Sequence, residues 1–145
     1  MELDSFPEEL KRRALDVGQV LRMEMFPDDN VQPKKGKKRK EKRFVIIGKD
    51  GDTVVAALLI NSNINENLFM QIGPYQHLIS SEKYGFLDHD SYVDGYLIRE
   101  FSAARVLESA DYLGSLLPED VLESIQRAVA SPKIKPYLIK KYKLK

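Results

Sequence analysis

A chain of 145 residues with 43% apolar side chains is long enough to bury one proper core, and one domain spanning 1–145 is expected. The absence of cysteine excludes disulfides, thiolate–zinc sites and cysteine nucleophiles, and it suits a reducing compartment, so a cytoplasmic location is expected. The net charge of +1 conceals an asymmetry. Lys34 to Arg43 holds eight basic residues and one acid, Lys133 to Lys145 holds six lysines and no acid, and the rest carries nine basic groups against 21 acids.

The first predicted element is a helical extension over 1–17. Ser5-Phe6-Pro7-Glu8 has the form of a capping box, and Leu10, Ala14 and Val17 line one face up to Gly18. From Val20 the period changes to two. Leu21, Met23 and Met25 alternate with Arg22, Glu24 and Phe26, which predicts a half-buried strand broken at Pro27-Asp28-Asp29-Asn30. The decapeptide 34–43 follows as a basic loop. With so few apolar groups to bury, Lys34 to Lys42 is expected to be mobile. Phe44 to Ile47 and Val54 to Ile60 predict two buried strands joined by a turn over Gly48 to Asp52. The second of these is the longest apolar run. It is far shorter than the roughly 20 residues of a membrane helix, and Glu2 and Asp4 are unlike the start of a signal peptide, so no membrane association is expected.

Leu68 to Ile72 predicts a further strand, Gly73-Pro74 a turn, and Tyr92 to Ile98 another strand. Ser102 to Leu107 is ambiguous between strand and helix. Pro118-Glu119-Asp120 opens a helix with Val121, Leu122, Ile125 and Val129 on its apolar face, although Leu117 at the N-cap position has no capping side chain. Ser131-Pro132 ends it. The basic tail 131–145 is then either packed on a partner or loose. Short, closely spaced strands with a late helix predict a mainly β (α+β) fold, a small barrel.

Two readings of the basic runs stand side by side. Mobile cationic segments on a mildly acidic body suit a polyanionic partner, because neutralising phosphates releases counterions; the alternative is a solvated loop and tail that maintain solubility. Other residues also carry paired readings. Arg99 either contacts phosphate or has a structural role, paired with Glu100 or with the barrel rim. Asn61, Ser62 and Asn63 either serve a site or form a turn. Tyr75, Tyr84 and Tyr92 either stack on bases or fill the core. His77 and His89 have no metal-ligand spacing, and no metal is expected.

Several strings, in order, resemble the MazF/PemK/Kid family of toxin–antitoxin endoribonucleases. Gly18 to Pro27 looks like its opening strand, Arg43-Phe44-Val45-Ile46-Ile47 like its "R-P-V-L-V" strand, and Val54 to Asn63 like its "V-x-x-A-x-I-T-S/A" strand. Tyr84-Gly85-Phe86, Asp90-Ser91-Tyr92-Val93, Leu97-Ile98-Arg99 and Gly114 to Asp120 continue the family's order. The resemblance implies an SH3-like barrel with a C-terminal helix, a homodimer, single-stranded RNA as substrate, an antitoxin protein as partner, and cleavage without metal or other cofactor. In that chemistry the ribose 2′-hydroxyl attacks its own phosphate, an arginine stabilises the developing charge, and a nearby group moves protons. It places Arg43 at the catalytic arginine, with Asn61 at the family's threonine and Ser62 beside it. Lys34, Lys35, Lys37, Lys38, Arg39, Lys40, Lys42 and Arg99 become candidate RNA contacts. Asn61 has no hydroxyl, so the resemblance also admits a catalytically impaired module that binds RNA or protein.

Overall fold

The computed structural model describes residues 15–29, 31 and 39–144. The expected helix over 1–17 therefore lies outside the described residues up to position 14. Its last residues, Leu15 to Val17, form no helix and lead through a turn at Val17-Gly18 into the first strand. Lys34, Lys35, Lys37 and Lys38, with the mobility expected of them, also lie outside.

The molecule is mainly β. Strands β1 (Gln19–Met25), β2 (Lys40–Asp50), β3 (Val54–Asn61), β4 (Gln76–Ile79), β5 (Ser91–Ser102) and β6 (Asp111–Ser115) form one antiparallel sheet in the order β4-β5-β3-β2-β1-β6. The sheet curls into a half-barrel. Among the described residues four α-helices accompany it: α1 (Phe69–Ile72), α2 (Ala103–Ser109), α3 (Pro118–Val129) and α4 (Pro136–Lys141).

The central strands read as unbroken apolar runs because both sheet faces are covered. On one face Val45, Ile47, Ala56, Leu58, Ile60 and Val93 pack with α3 and α4 residues such as Val121, Ala128 and Leu138. On the other, Leu21, Met23, Met25, Phe44, Ile46, Val55, Ala57 and Leu59 pack with Leu15, Phe101 and Val106. Alternate side chains of one strand thus enter two different cores. Met23 and Met25, at 2% and 0% exposure, belong to the protomer's own core, so the strand offers a second copy no surplus apolar surface at those positions.

Two irregularities shape the sheet. The β2–β3 register shifts between Ile46 and Gly48, and β2 runs on to Asp50 instead of turning at Gly48 as expected. A Cβ at Gly48 would sit 2.7 Å from the Tyr142 Cβ, so glycine lets the tail lie against the strand. In β5 the register jumps between the Ala57–Arg99 and Leu59–Asp94 pairs. The bulged segment begins at Gly95, where a Cβ would lie 2.6 Å from the Tyr75 carbonyl oxygen and 3.1 Å from the Ala128 nitrogen. Bulges of this kind bend a strand and steepen its twist.

Two expectations are corrected and one open assignment is resolved. Residues 68–72 form no strand: the Asn65 side chain accepts the Asn67 N–H at 3.0 Å, a turn and α1 follow, and Met70 is 90% exposed with no sheet face to cover it. The ambiguous segment after Ser102 is helix α2, whose Arg105 N–H donates to the Ser102 hydroxyl at 3.1 Å. The tail is neither loose nor awaiting a partner. Leu138, Tyr142 and Leu144 are buried, and the Tyr142 hydroxyl and Lys141 ammonium both donate to Glu100, the latter at 3.0 Å.

Candidate active cleft

The basic decapeptide does not remain a loop to its end. β2 begins at Lys40, so Lys40 to Arg43 are strand residues paired with Met25, Glu24, Met23 and Arg22. Strand geometry then sends neighbouring side chains to opposite faces. Arg43 follows Val45 to one face and lies opposite Ile60; Lys42 follows Phe44 to the other. Asn61 shares the Lys42 face, and the Lys42 ammonium donates to its side-chain oxygen.

At the open end of the sheet these two sets meet around a cleft of about 400 Å³. Lys40, Lys42 and Arg43 enter it from β2, Asn61, Ser62 and Asn63 from the end of β3, and Asp88, His89 and Ser91 from the approach to β5. A smaller hollow of about 190 Å³ adjoins it, lined by Lys40, Lys42, Asn61, Asp94 and Arg99. Arg39 lies 3.4 Å from Glu24 on the outer surface and lines neither hollow.

The cations differ in environment. Arg43, with a side chain 27% exposed, holds Asp88 at 3.4 Å, while Asp88 is 81% exposed. A pair so open to water is weak, and an anion in the cleft can replace the carboxylate. Burial first, then the charges of Lys40 and Arg99, push the Lys42 pKa down to about 8, against an opposing pull from Asp94. Burial likewise lowers Arg99, again opposed by Asp94. Asp94 is fixed by Gln76 Nε2 at 2.8 Å and the Tyr96 N–H at 2.9 Å. Glu100 turns instead toward α4, which leaves Arg99 on the hollow side of β5.

A second polar cluster lies away from the cleft. Asp120, at the start of α3, accepts from the Tyr84 hydroxyl, from Lys83 Nζ at 2.9 Å, and meets His77 Nε2 at 2.8 Å. Burial raises the pKa of this carboxyl, but the hydrogen bonds outweigh it and hold it at about 2. Tyr84 also accepts the Leu117 N–H at 2.9 Å. This network anchors the helix that Leu117 cannot cap, and it gives Tyr84 and His77 structural roles.

Of the residues singled out in the sequence, the structure places Arg43, Asn61, Ser62, Lys40 and Lys42 around one cleft. Sequence reasoning missed Asp88, His89 and Ser91 as lining residues; the alternation of acids with His89 in Asp88-His89-Asp90 was the available signal. Among the described residues, no group of three or more His, Cys, Asp or Glu side chains forms a metal cage, and no helix is long and apolar enough to cross a membrane. Compared with known protein families and with curated proteins, the chain matches none.

Proposed function

We propose that this protein is a metal-independent endoribonuclease of the MazF/PemK type that acts on single-stranded RNA at the cleft between the ends of β2 and β3. One observation carries the reading: the cleft gathers Lys40, Lys42 and Arg43 with the polar turn 61–63, a set suited to holding a phosphodiester beside proton-exchanging groups. Arg43 is the guanidinium that replaces its exposed Asp88 partner with the scissile phosphate, where two planar N–H donors can meet two oxygens. Ser62 and Asn61 border the reacting atoms, and the basic segment leading into β2, including Lys34, Lys35, Lys37, Lys38 and Arg39, tracks the RNA backbone. The reading brings with it a finer description of the half-barrel as SH3-like, a cytoplasmic setting, a homodimer and an antitoxin protein covering the same cleft.

The test is incubation of the purified full chain with unstructured RNA in EDTA. Cleavage that survives EDTA and falls about 10²-fold or more in Arg43→Ala is the expected result, as for loss of one preorganised oxyanion donor. Intact RNA in every sequence context ends the nuclease reading. A second reading, an RNA-binding module without catalysis, is favoured by Asn61, which has no exchangeable hydroxyl proton and whose side-chain oxygen is already engaged by Lys42. Retained, salt-sensitive RNA binding without cleavage is its signature.

A further inference from the structure

We propose that Lys42 is the proton-transfer residue of the cleft, taking the proton from the ribose 2′-hydroxyl and returning it to the leaving oxygen. The inference rests on the RNA-cleaving reading and assigns to Lys42 a task that charge alone does not require. Three side chains line both the main cleft and the adjoining hollow: Lys40, Lys42 and Asn61. Lys40 is exposed and Asn61 has no proton to exchange at neutral pH, which leaves Lys42 at the junction.

Its surroundings suit the task. The bond to Asn61 fixes the nitrogen while consuming one N–H, so a neutral amine keeps its lone pair for an incoming hydroxyl. The charged groups around it are Lys40 on its own strand and Arg99 and Asp94 on β5; Glu41, Arg43, Asp88 and His89 line the cleft nearby. Glu41 is engaged by Arg22 at 3.0 Å and Asp88 by Arg43, so cations dominate the immediate field of the amine. With its affinity for protons lowered to about 8, the amine exchanges them close to neutrality, where a base is most useful.

In the step, the 2′-oxygen forms a bond to phosphorus as its proton passes to the Lys42 nitrogen. The bond from phosphorus to the 5′-oxygen then breaks, and the Lys42 ammonium gives that oxygen the same proton. A 2′,3′-cyclic phosphate and a 5′-hydroxyl result, with no change of oxidation state.

The experiment compares the wild-type protein, Lys42→Arg, Lys42→Gln and Arg43→Ala on a single-stranded oligoribonucleotide in EDTA. Binding of the 2′-O-methyl oligonucleotide is measured in parallel, and the lysine side-chain carbons of the wild-type protein are titrated by NMR. The expected kcat/KM rises with pH through a midpoint near 8 and levels off above it. Lys42→Arg keeps the charge and the binding within about threefold, yet cuts ~10²-fold or more slowly and loses that pH dependence. One lysine signal titrates near 8 and is missing from Lys42→Arg. If Lys42→Arg or Lys42→Gln cuts at the wild-type rate and pH profile while Arg43→Ala is inactive, Lys42 is not the proton carrier and the nuclease reading survives. If all lysines titrate together at their ordinary values, the assignment is overturned whether or not the variants fold. If the wild-type protein cuts no RNA, the underlying reading fails and takes this assignment with it.

Discussion

Asp120 shows how one buried acid links sequence to stability. Its folded pKa, held near 2, lies below its ordinary 3.8, so the unfolded chain binds protons more readily across that interval. The stabilisation is therefore fully present above about pH 4 and is lost as the pH falls toward 2. Urea midpoints measured from pH 5 to pH 2 are expected to fall, and Asp120→Ala should flatten that fall while costing about 2–4 kcal/mol at pH 7, because Tyr84, His77 and Lys83 lose a shared partner. Lys42 has the opposite sign. Its folded pKa is depressed, so below about pH 8 the folded state carries a charge it would rather shed, and this cost disappears as the pH rises from about 8 toward 10.5. Lys42→Met is expected to raise the urea midpoint at pH 7 while abolishing cleavage; a lower midpoint would show that the Asn61 bond outweighs the burial penalty. Stability given up at one position in this way is common where a site needs a strained charge.

At the scale of elements, the polar contacts fix how the pieces lie on the sheet. Arg105 on α2 holds Asp29 with two bonds of 2.6 and 2.7 Å and reaches the Glu24 carbonyl oxygen at 3.3 Å, so it ties the turn after β1 to the helix. Its bidentate geometry and the low exposure of Asp29 make it stronger than an open surface pair. The tail helix α4 depends instead on apolar burial. Leu138→Ala is expected to cost about 2–4 kcal/mol, read as a lowered melting temperature with a native circular dichroism spectrum. Gly95→Ala should cost more than a surface substitution by at least ~2 kcal/mol, since the added carbon meets backbone of both Tyr75 and α3. Wild-type stability in Gly95→Ala would mean that β5 and α3 can move apart freely.

Across the whole molecule, charge is divided between an acidic body and basic segments, and the segment 34–43 ends inside the sheet that builds the cleft. Replacing Lys34, Lys35, Lys37 and Lys38 by glutamine is expected to weaken RNA binding in every sequence context and to reduce the salt slope by about 0.7 for each phosphate that is no longer neutralised. Fluorescence anisotropy across a range of salt concentrations checks this; an unchanged slope would mean that these lysines touch no phosphate.

Local pattern by itself determined the β-rich class, the positions of β1, β2, β3 and β5, and helix α3, because burial imposes a period of two or 3.6 on any segment with one apolar face. It also marked the polar residues after β3, whereas Arg43 was singled out only by the family resemblance. It failed where a neighbour distant in sequence supplies the deciding contact. Leu68 to Ile72 is apolar enough for a strand but has no sheet face to cover, and the lysine-rich tail is ordered because Gly48 leaves room for Tyr142. The alternation in β1 places Met23 and Met25 on a buried face, but only the fold shows that Val106 of α2 and Leu15 share that core with them. The same reason separates Arg43 from Lys42. As sequence they are adjacent cations at the end of one run, but the strand turns them to opposite faces, and β5, arriving from much later in the chain, sets Asp94 and Arg99 beside Lys42 while Arg43 meets Asp88.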